Sequence, residues 1–198
     1  MSKSNLATVE ELYTDEEYIS LEREANEKHE LANGEIIAMA GASREHNLIC
    51  VNIAGELRQN LKGSGCETYA TDMRVRMKEG NYAYPDVVVV CDEPQFADGE
   101  FDTLLNPVIV IEILSKSTRF RDKTEKLETY QKMESISECL IIEQDLLRIE
   151  HYIKQTPKQW LFRIYEDLDE IVKLESIGCE IPLVEIYAQI NFEESLVK

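Results

Sequence analysis

Two acids stand on otherwise aliphatic segments of this chain. Asp86 opens the run Pro85-Asp86-Val87-Val88-Val89-Val90, and Glu112 nearly closes Pro107-Val108-Ile109-Val110-Ile111-Glu112-Ile113-Leu114. An ionised carboxylate on a buried strand is costly unless it is paired, hydrogen-bonded or bound to a cation. If the two strands run antiparallel, the start of one lies beside the end of the other, and both acids meet at one edge of the sheet. Two carboxylates so placed repel and share a proton, unless a divalent cation takes both. Oxygen ligands alone suit Mg²⁺ or Mn²⁺ better than zinc. The plainer alternative stands beside this one: each acid sits at a strand end in water or meets an arginine.

Downstream of Glu112, Lys116, Arg119, Arg121, Lys123 and Lys126 form the densest basic cluster of an acidic protein, offset only partly by Asp122 and Glu125. In a helix predicted near Asp122–Met133, Asp122, Lys126 and Tyr130 fall at i, i+4 and i+8 on one face. A lysine near a metal-carboxylate site can stabilise a pentavalent phosphate or help activate water. The commoner fate of such residues is a solvated face with an Asp122–Lys126 pair. His46 falls at a predicted helix start, where the helix dipole disfavours its charged form. Tyr130 and Trp160 read as packing residues, Trp160 in a C-terminal β meander or at a subunit contact.

The elements that must position these groups are legible in outline. Thr14-Asp15-Glu16-Glu17 is a capping box that predicts a short helix to about Ala25. Asn33-Gly34, between Glu30-Leu31-Ala32 and Glu35-Ile36-Ile37, predicts a hairpin. Ser43 caps a helix over Arg44–Leu61, with Leu48, Val51, Ile53, Leu57 and Leu61 as its apolar stripe; Lys62-Gly63-Ser64-Gly65 ends it. From Glu67 to Met77 the pattern alternates, with Val75 and Met77 on one face and Arg74, Arg76 and Lys78 on the other, as in a half-exposed strand bent near Asp72. The strands of Asp86 and Glu112 follow, separated by an acidic connection (Asp92 to Asn106) long enough to be either functional or mobile. Cys139-Leu140-Ile141-Ile142 is a third buried strand, and the remainder alternates as an antiparallel meander. The core order is helix, three strands, helix, strand. That predicts an α/β or α+β mixed sheet flanked by helices, in one domain over 1–198, with a core at about 28–145 and a C-terminal β extension at about 146–198.

Bulk properties bound the rest. The formal net charge is −18 across 198 residues, which argues against a broadly basic nucleic-acid surface. Bound metal ions would add positive charge locally. The five cysteines, Cys50, Cys66, Cys91, Cys139 and Cys179, are scattered singly, a pattern expected of reduced thiols in a cytoplasmic protein. His29, His46 and His151 lack zinc-ligand spacing. The segment Met1-Ser2-Lys3-Ser4-Asn5 has no apolar signal-peptide core, and no apolar run reaches the roughly 18 residues of a membrane span.

With these residues in view, the chain resembles the Uma-two family of restriction-endonuclease-like proteins, within the PD-(D/E)xK nuclease superfamily. The resemblance rests on Pro85-Asp86-Val87; on Glu112-Ile113-Leu114-Ser115 followed by Ser117-Thr118; and on Asp122, Lys126 and Tyr130. It extends from the Glu30 hairpin and His46 to Glu138, over roughly residues 10–190. It implies a restriction-endonuclease-like core and Mg²⁺-dependent phosphodiester hydrolysis on nucleic acid, DNA before RNA. Asp86 and Glu112 would hold the metal, Lys126 would take the place of the motif lysine from the helix, and Glu30 and His46 would be supporting groups. The motif lysine position itself is Leu114, so Lys123 and Lys116 are rivals to Lys126; Lys116 also stands where the family usually has proline, a departure expected to alter a turn and not the chemistry. A catalytically inactive nucleic-acid-binding or interaction module is the alternative, and a small-nucleotide phosphohydrolase a third. A symmetric homodimer would cover the edges of the meander.

Overall fold

The computed structural model describes residues 12–115 and 119–192; Lys116, Ser117, Thr118 and the polar N-terminal segment lie outside the described residues. Helix α1 (Asp15–Glu24) begins on the predicted capping box: Thr14 Oγ1 accepts from the Glu17 N–H, and the Glu17 carboxylate accepts from the Thr14 N–H at 2.9 Å. Strands β1 (His29–Ala32) and β2 (Glu35–Ala38) form the hairpin. Asn33 and Gly34 take φ of 53° and 86° at its turn, the left-handed pair that a tight hairpin demands. Helix α2 (Arg44–Asn60) starts on Ser43, whose Oγ accepts from the His46 N–H at 3.1 Å. Its buried face is Ile49, Cys50, Ile53 and Leu57, with Leu61 just beyond, while Val51 is 69% exposed. The predicted stripe is therefore corrected by a small rotation about the helix axis, away from Leu48 and Val51.

The chain then builds β3 (Cys66–Ala70), β4 (Arg74–Arg76), β5 (Tyr82–Ala83), β6 (Val87–Cys91), β7 (Thr103–Leu104), β8 (Ile109–Leu114), β9 (Glu138–Glu143), β10 (Ile149–Thr156), β11 (Gln159–Tyr165), β12 (Ile171–Leu174) and β13 (Cys179–Pro182). A six-stranded sheet runs β11-β10-β9-β8-β6-β3, and a five-stranded sheet runs β2-β1-β5-β4-β7. In the large sheet β8 and β9 are parallel and the other neighbours antiparallel. The β8–β9 crossover carries a composite helix over residues 119–131: Arg119–Arg121 α-helical, Asp122–Lys126 π-helical, Leu127–Gln131 α-helical.

Helices cover both faces of the large sheet, which is why β6 and β8 are aliphatic apart from Cys91 and Glu112. Val87, Val89, Ile109, Ile111 and Ile113 pack with α2 and the short helix Leu183–Ile186. Val88, Val90 and Val110 pack on the other side with Leu127, Tyr130 and Met133. The mixed sheet flanked by helices is thus the predicted architecture. Of the C-terminal meander, β10 and β11 extend the large sheet, whereas β12 and β13 form a hairpin of their own packed on the α2 side.

Three expectations are corrected. The stretch Glu67–Met77 is two strands in two sheets, broken at Thr71 and Asp72 (φ of 47° and 66°). Arg74 is buried: its Nε donates to Thr103 Oγ1 at 2.9 Å, its Nη2 lies 2.9 Å from Asp102, and the Tyr18 and Tyr84 rings flank it. Cys66 and Cys91 are not free thiols. They face each other across the β3–β6 pair with Cα atoms 4.0 Å apart and are joined by a disulfide. Strand pairing makes this contact between cysteines 25 residues apart, which spacing along the chain could not show. Cys50, Cys139 and Cys179 are free and buried.

The burial pattern of α2 gives a paired test. Ile53→Ala should cost about 2–5 kcal/mol in chemical denaturation, while Val51→Ala, two residues away, should stay within about 0.5 kcal/mol. Equal losses would place the wrong face of α2 on the sheet.

Candidate active site

Register fixes the central pair. In the antiparallel β6–β8 ladder Val87 pairs with Ile111. Asp86 precedes that pair on one strand and Glu112 follows it on the other, so the two acids face each other at one edge of the sheet. Asp86 sits where the chain enters β6, and its Oδ2 accepts from the Ile113 N–H at 2.7 Å. Its Oδ1 lies 3.2 Å from Nε2 of His46, which the first turn of α2 delivers. Glu112 is only 3% exposed on β8.

The composite helix supplies the cation. Lys126 Nζ lies 2.6 Å from Glu112 Oε1, 3.1 Å from Glu30 Oε1 and 3.3 Å from Asp122 Oδ1. The predicted Asp122–Lys126 pair is present, but buried beside Glu112 and not on a solvated face. Tyr130, one turn further, donates its hydroxyl to Glu112 Oε1 at 2.6 Å, a polar contact in place of simple packing. Glu30, on β1, accepts from the Tyr84 N–H at 3.1 Å and pairs through Oε2 with Arg121 at 2.5 Å, so it reaches the composite helix. Lys123 turns away from this group to Glu143 and Glu150, at 2.9 Å each. Leu114 is fully buried.

Glu30, His46, Asp86, Glu112, Asp122 and Lys126 line one cleft of about 320 Å³, which the apolar Ile37–Ala42 segment also lines. All five predicted site residues therefore converge. Asp122, Arg121 and the Ile113 N–H join them. The helical spacing of Asp122 was a usable signal for it, but nothing in the sequence marked the Ile113 N–H.

The cleft holds a surplus of negative charge. Burial pushes the Glu112 carboxyl well above the usual carboxylate range; Lys126 opposes this, while Asp122, Asp86 and Glu30 add to it. Burial works against the Lys126 ammonium, yet Glu112 first, and then Tyr130, Glu30 and Asp122, hold it firmly protonated. Burial likewise works against the charged form of His46, but the hydrogen bond and charge of Asp86 outweigh it and raise its pKa. The dipole-based expectation of a neutral His46 is corrected: a carboxylate 3.2 Å away acts more strongly than a helix end.

Among the described residues, no three His, Cys, Asp or Glu side chains are arranged as a ready-made metal cage. Asp86 and Glu112 nonetheless offer two oxygen ligands beside an open cleft with uncompensated acid. Such a donor set suits a hard cation that keeps part of its water shell.

Comparisons with known proteins place the chain in a family and show its fold. The pattern of the Uma2 family, described as "Putative restriction endonuclease", matches residues 15–183. The chain belongs to the Uma2 family. Its relatives include two proteins of Synechocystis sp. (strain ATCC 27184 / PCC 6803 / Kazusa), "Uncharacterized protein sll1609" and "Uncharacterized protein slr1290". The first is 38% identical over 151 residues, 76% of this chain and 85% of the relative. The second is 32% identical over 178 residues, 89% of this chain and 92% of the relative. A crystal structure from Anabaena variabilis ATCC 29413, titled a putative nuclease belonging to DUF820, shares the fold. It aligns with a TM-score of 0.73 and 16% identity over 90% of this chain and 99% of its own. No described helix is long and apolar enough to cross a membrane.

The His46–Asp86 contact makes a prediction about pH. Since the folded-state pKa of His46 is raised, the pair stabilises the fold fully below the unfolded value of about 6.5, and that contribution is lost as pH rises through the folded pKa. An NMR titration of the His46 ring should show a midpoint above 6.5 in the wild type. In Asp86→Asn it should fall below, because burial persists and the partner charge is gone. A midpoint unmoved by Asp86→Asn would contradict the assignment.

Proposed function

We propose that this protein is a metal-dependent endonuclease that hydrolyses phosphodiester bonds of nucleic acid. The supporting observation is the convergence of Asp86, Glu112 and a protonated Lys126 on one cleft, in a member of a family described by a nuclease activity. In this reading Asp86 and Glu112 hold Mg²⁺ or Mn²⁺. When bound, the ion polarises the scissile phosphate and lowers the pKa of water.

The chain's own groups do the rest. The Ile113 N–H and His46 fix the Asp86 carboxylate from two sides, leaving little freedom for it to turn from the cleft. Lys126 remains an ammonium and so acts by charge, stabilising the added negative charge of a pentavalent phosphate, and not as a general base. It fills from the helix the electrostatic role that Leu114 cannot fill from the strand. Glu30 is a positioning residue: it bridges Lys126 and Arg121 and holds the helix against the sheet edge.

Two features favour a non-catalytic member of the fold as the second reading: Leu114 at the motif lysine position, and the engagement of Lys126 by three carboxylates. Cleavage of DNA and RNA by purified protein in Mg²⁺ separates the two. The expected outcome is cleavage lost on chelation and reduced by about 10²-fold or more in Asp86→Ala and in Lys126→Met. Indistinguishable cleavage by wild type and Asp86→Ala would refute catalysis at this site. Calorimetry without Mg²⁺ or Mn²⁺ binding would favour the second reading.

A cytoplasmic homodimer belongs to the same proposal. Strand β11 is an edge of the large sheet and exposes Leu161, Phe162 and Ile164, a surface that a second copy would cover. Light scattering should give twice the mass of 22.8 kDa; a monomer at micromolar concentration removes the idea.

A further inference from the structure

Nearly every described cation of this acidic chain is ion-paired, and the exceptions are informative. Every described lysine and arginine other than Arg58, Lys62, Lys154 and Lys158 is paired with an acid. Lys154 instead donates to the carbonyls of Met133, Glu134 and Ile136. Of the remaining three, Arg58 and Lys62 lie one helical turn apart and line the same groove, of about 710 Å³, between the C-terminal end of α2 and β3. Their position also suits the negative end of the helix dipole, but that explains the placement of cations there and not the groove beside them. Gln59, Thr68 and Tyr69 line it too. Thr68 Oγ1 is buried without a hydrogen-bond partner. The one acid on the lining, Glu67, accepts a hydrogen bond from the Tyr69 hydroxyl.

The cleft has the opposite character. Lys126 and Arg121 are engaged by Glu112, Glu30 and Asp122, and Arg119 and Lys123 by Glu143, Asp145 and Glu150. A nucleic-acid strand needs cations for the phosphates that flank the reacting one, and these are already neutralised. Strand β3 joins the two places. Cys66, Glu67, Thr68 and Tyr69 line the groove, and Thr71 and Asp72 line the cleft. The span from Cys66 to Thr71 is about 17 Å at strand rise. Because β3 is an edge of the large sheet, its outward backbone N–H groups lie along that path.

We infer that the groove formed by Arg58, Gln59, Lys62 and Thr68 is a phosphate-binding site for a single nucleic-acid strand that runs along β3 from the cleft. The direction of the strand rests on the nuclease reading of the cleft; binding in the groove does not. A single strand is favoured over a duplex because the cleft has the volume of a small-molecule pocket and the available cations form one short row.

The test is fluorescence-anisotropy binding of labelled single-stranded DNA and RNA, of two and of about twelve nucleotides, to the full chain in EDTA, where no metal-dependent cleavage occurs. Arg58→Gln/Lys62→Gln should bind the long oligonucleotides about tenfold more weakly than wild type. Its log-affinity against log-salt slope should be shallower by about 1.4, the value for two lost single-strand phosphate contacts. The dinucleotide, too short to span from cleft to groove, offers one internal phosphate, so its slope should change by no more than about 0.7. Both positions are exposed, so the thermal unfolding transition should stay cooperative with its midpoint lowered by only a few degrees, the loss of two charges at the helix end. Equal affinity and slope for variant and wild type would overturn the assignment, as would failure of the wild type to bind the long strands at low salt. Should cleavage prove unaffected by Asp86→Ala while the slope still changes, the nuclease reading fails and the groove stands.

Discussion

Glu112 can be buried on an aliphatic strand because Lys126 Nζ lies 2.6 Å from it, and much of the architecture serves that contact. An uncompensated carboxylate there would cost several kcal/mol or would hold a proton. Placing an ammonium beside it requires a helix across the end of β8, packed through Leu127, Tyr130 and Met133 onto Val88, Val90 and Val110. The crossover between parallel strands β8 and β9 supplies that helix. The first hairpin supplies Glu30 as a second anchor, and α2 brings His46 to the other side of Asp86. Each element contributes to the cleft while burying its own apolar face, the composite helix with Arg121, Asp122 and Lys126, so the site and the core are held by the same contacts.

The parts of this arrangement that were legible in the sequence are those set by local rules. The capping box at Thr14, the Ser43 N-cap, the Asn33-Gly34 turn and the aliphatic strands follow from backbone chemistry and burial. The meeting of Asp86 with Glu112 followed from their positions along two strands once antiparallel pairing was assumed. Asp122 and Lys126 share a helix face by spacing alone. What could not be read is what depends on tertiary partners. Arg74 looked like an exposed strand residue because its acceptors, Asp102 and Thr103, lie far along the chain. The cations after Glu112 looked like an open basic patch because Glu143 and Glu150 come from later strands. His46 was misjudged from its helix end because the carboxylate that decides its charge enters from another element.

Net charge also changes meaning once the pairing is known. A value of −18 suggests a surface that repels nucleic acid, yet the acids are not spread evenly in effect. Many are used to hold cations in place, at the cleft, around Arg23 and along β10. The potential a ligand meets is set locally by the charges left over, which are acidic in the cleft and include the unpaired Arg58 and Lys62 beside the end of α2.

The π-helical turn at Asp122–Lys126 has a consequence for how this chain can vary. A π turn contains one residue more than the α turn it replaces. Removing a single residue from it would give a more regular helix, yet it would rotate everything upstream by about 100° relative to Lys126 and Tyr130. Asp122 and Arg121 would swing off the cleft, and Glu30 would keep only one of its two cationic partners. Lys126 would stay on Glu112, so the length of this one turn sets how many charges gather around that pair while the pair itself survives.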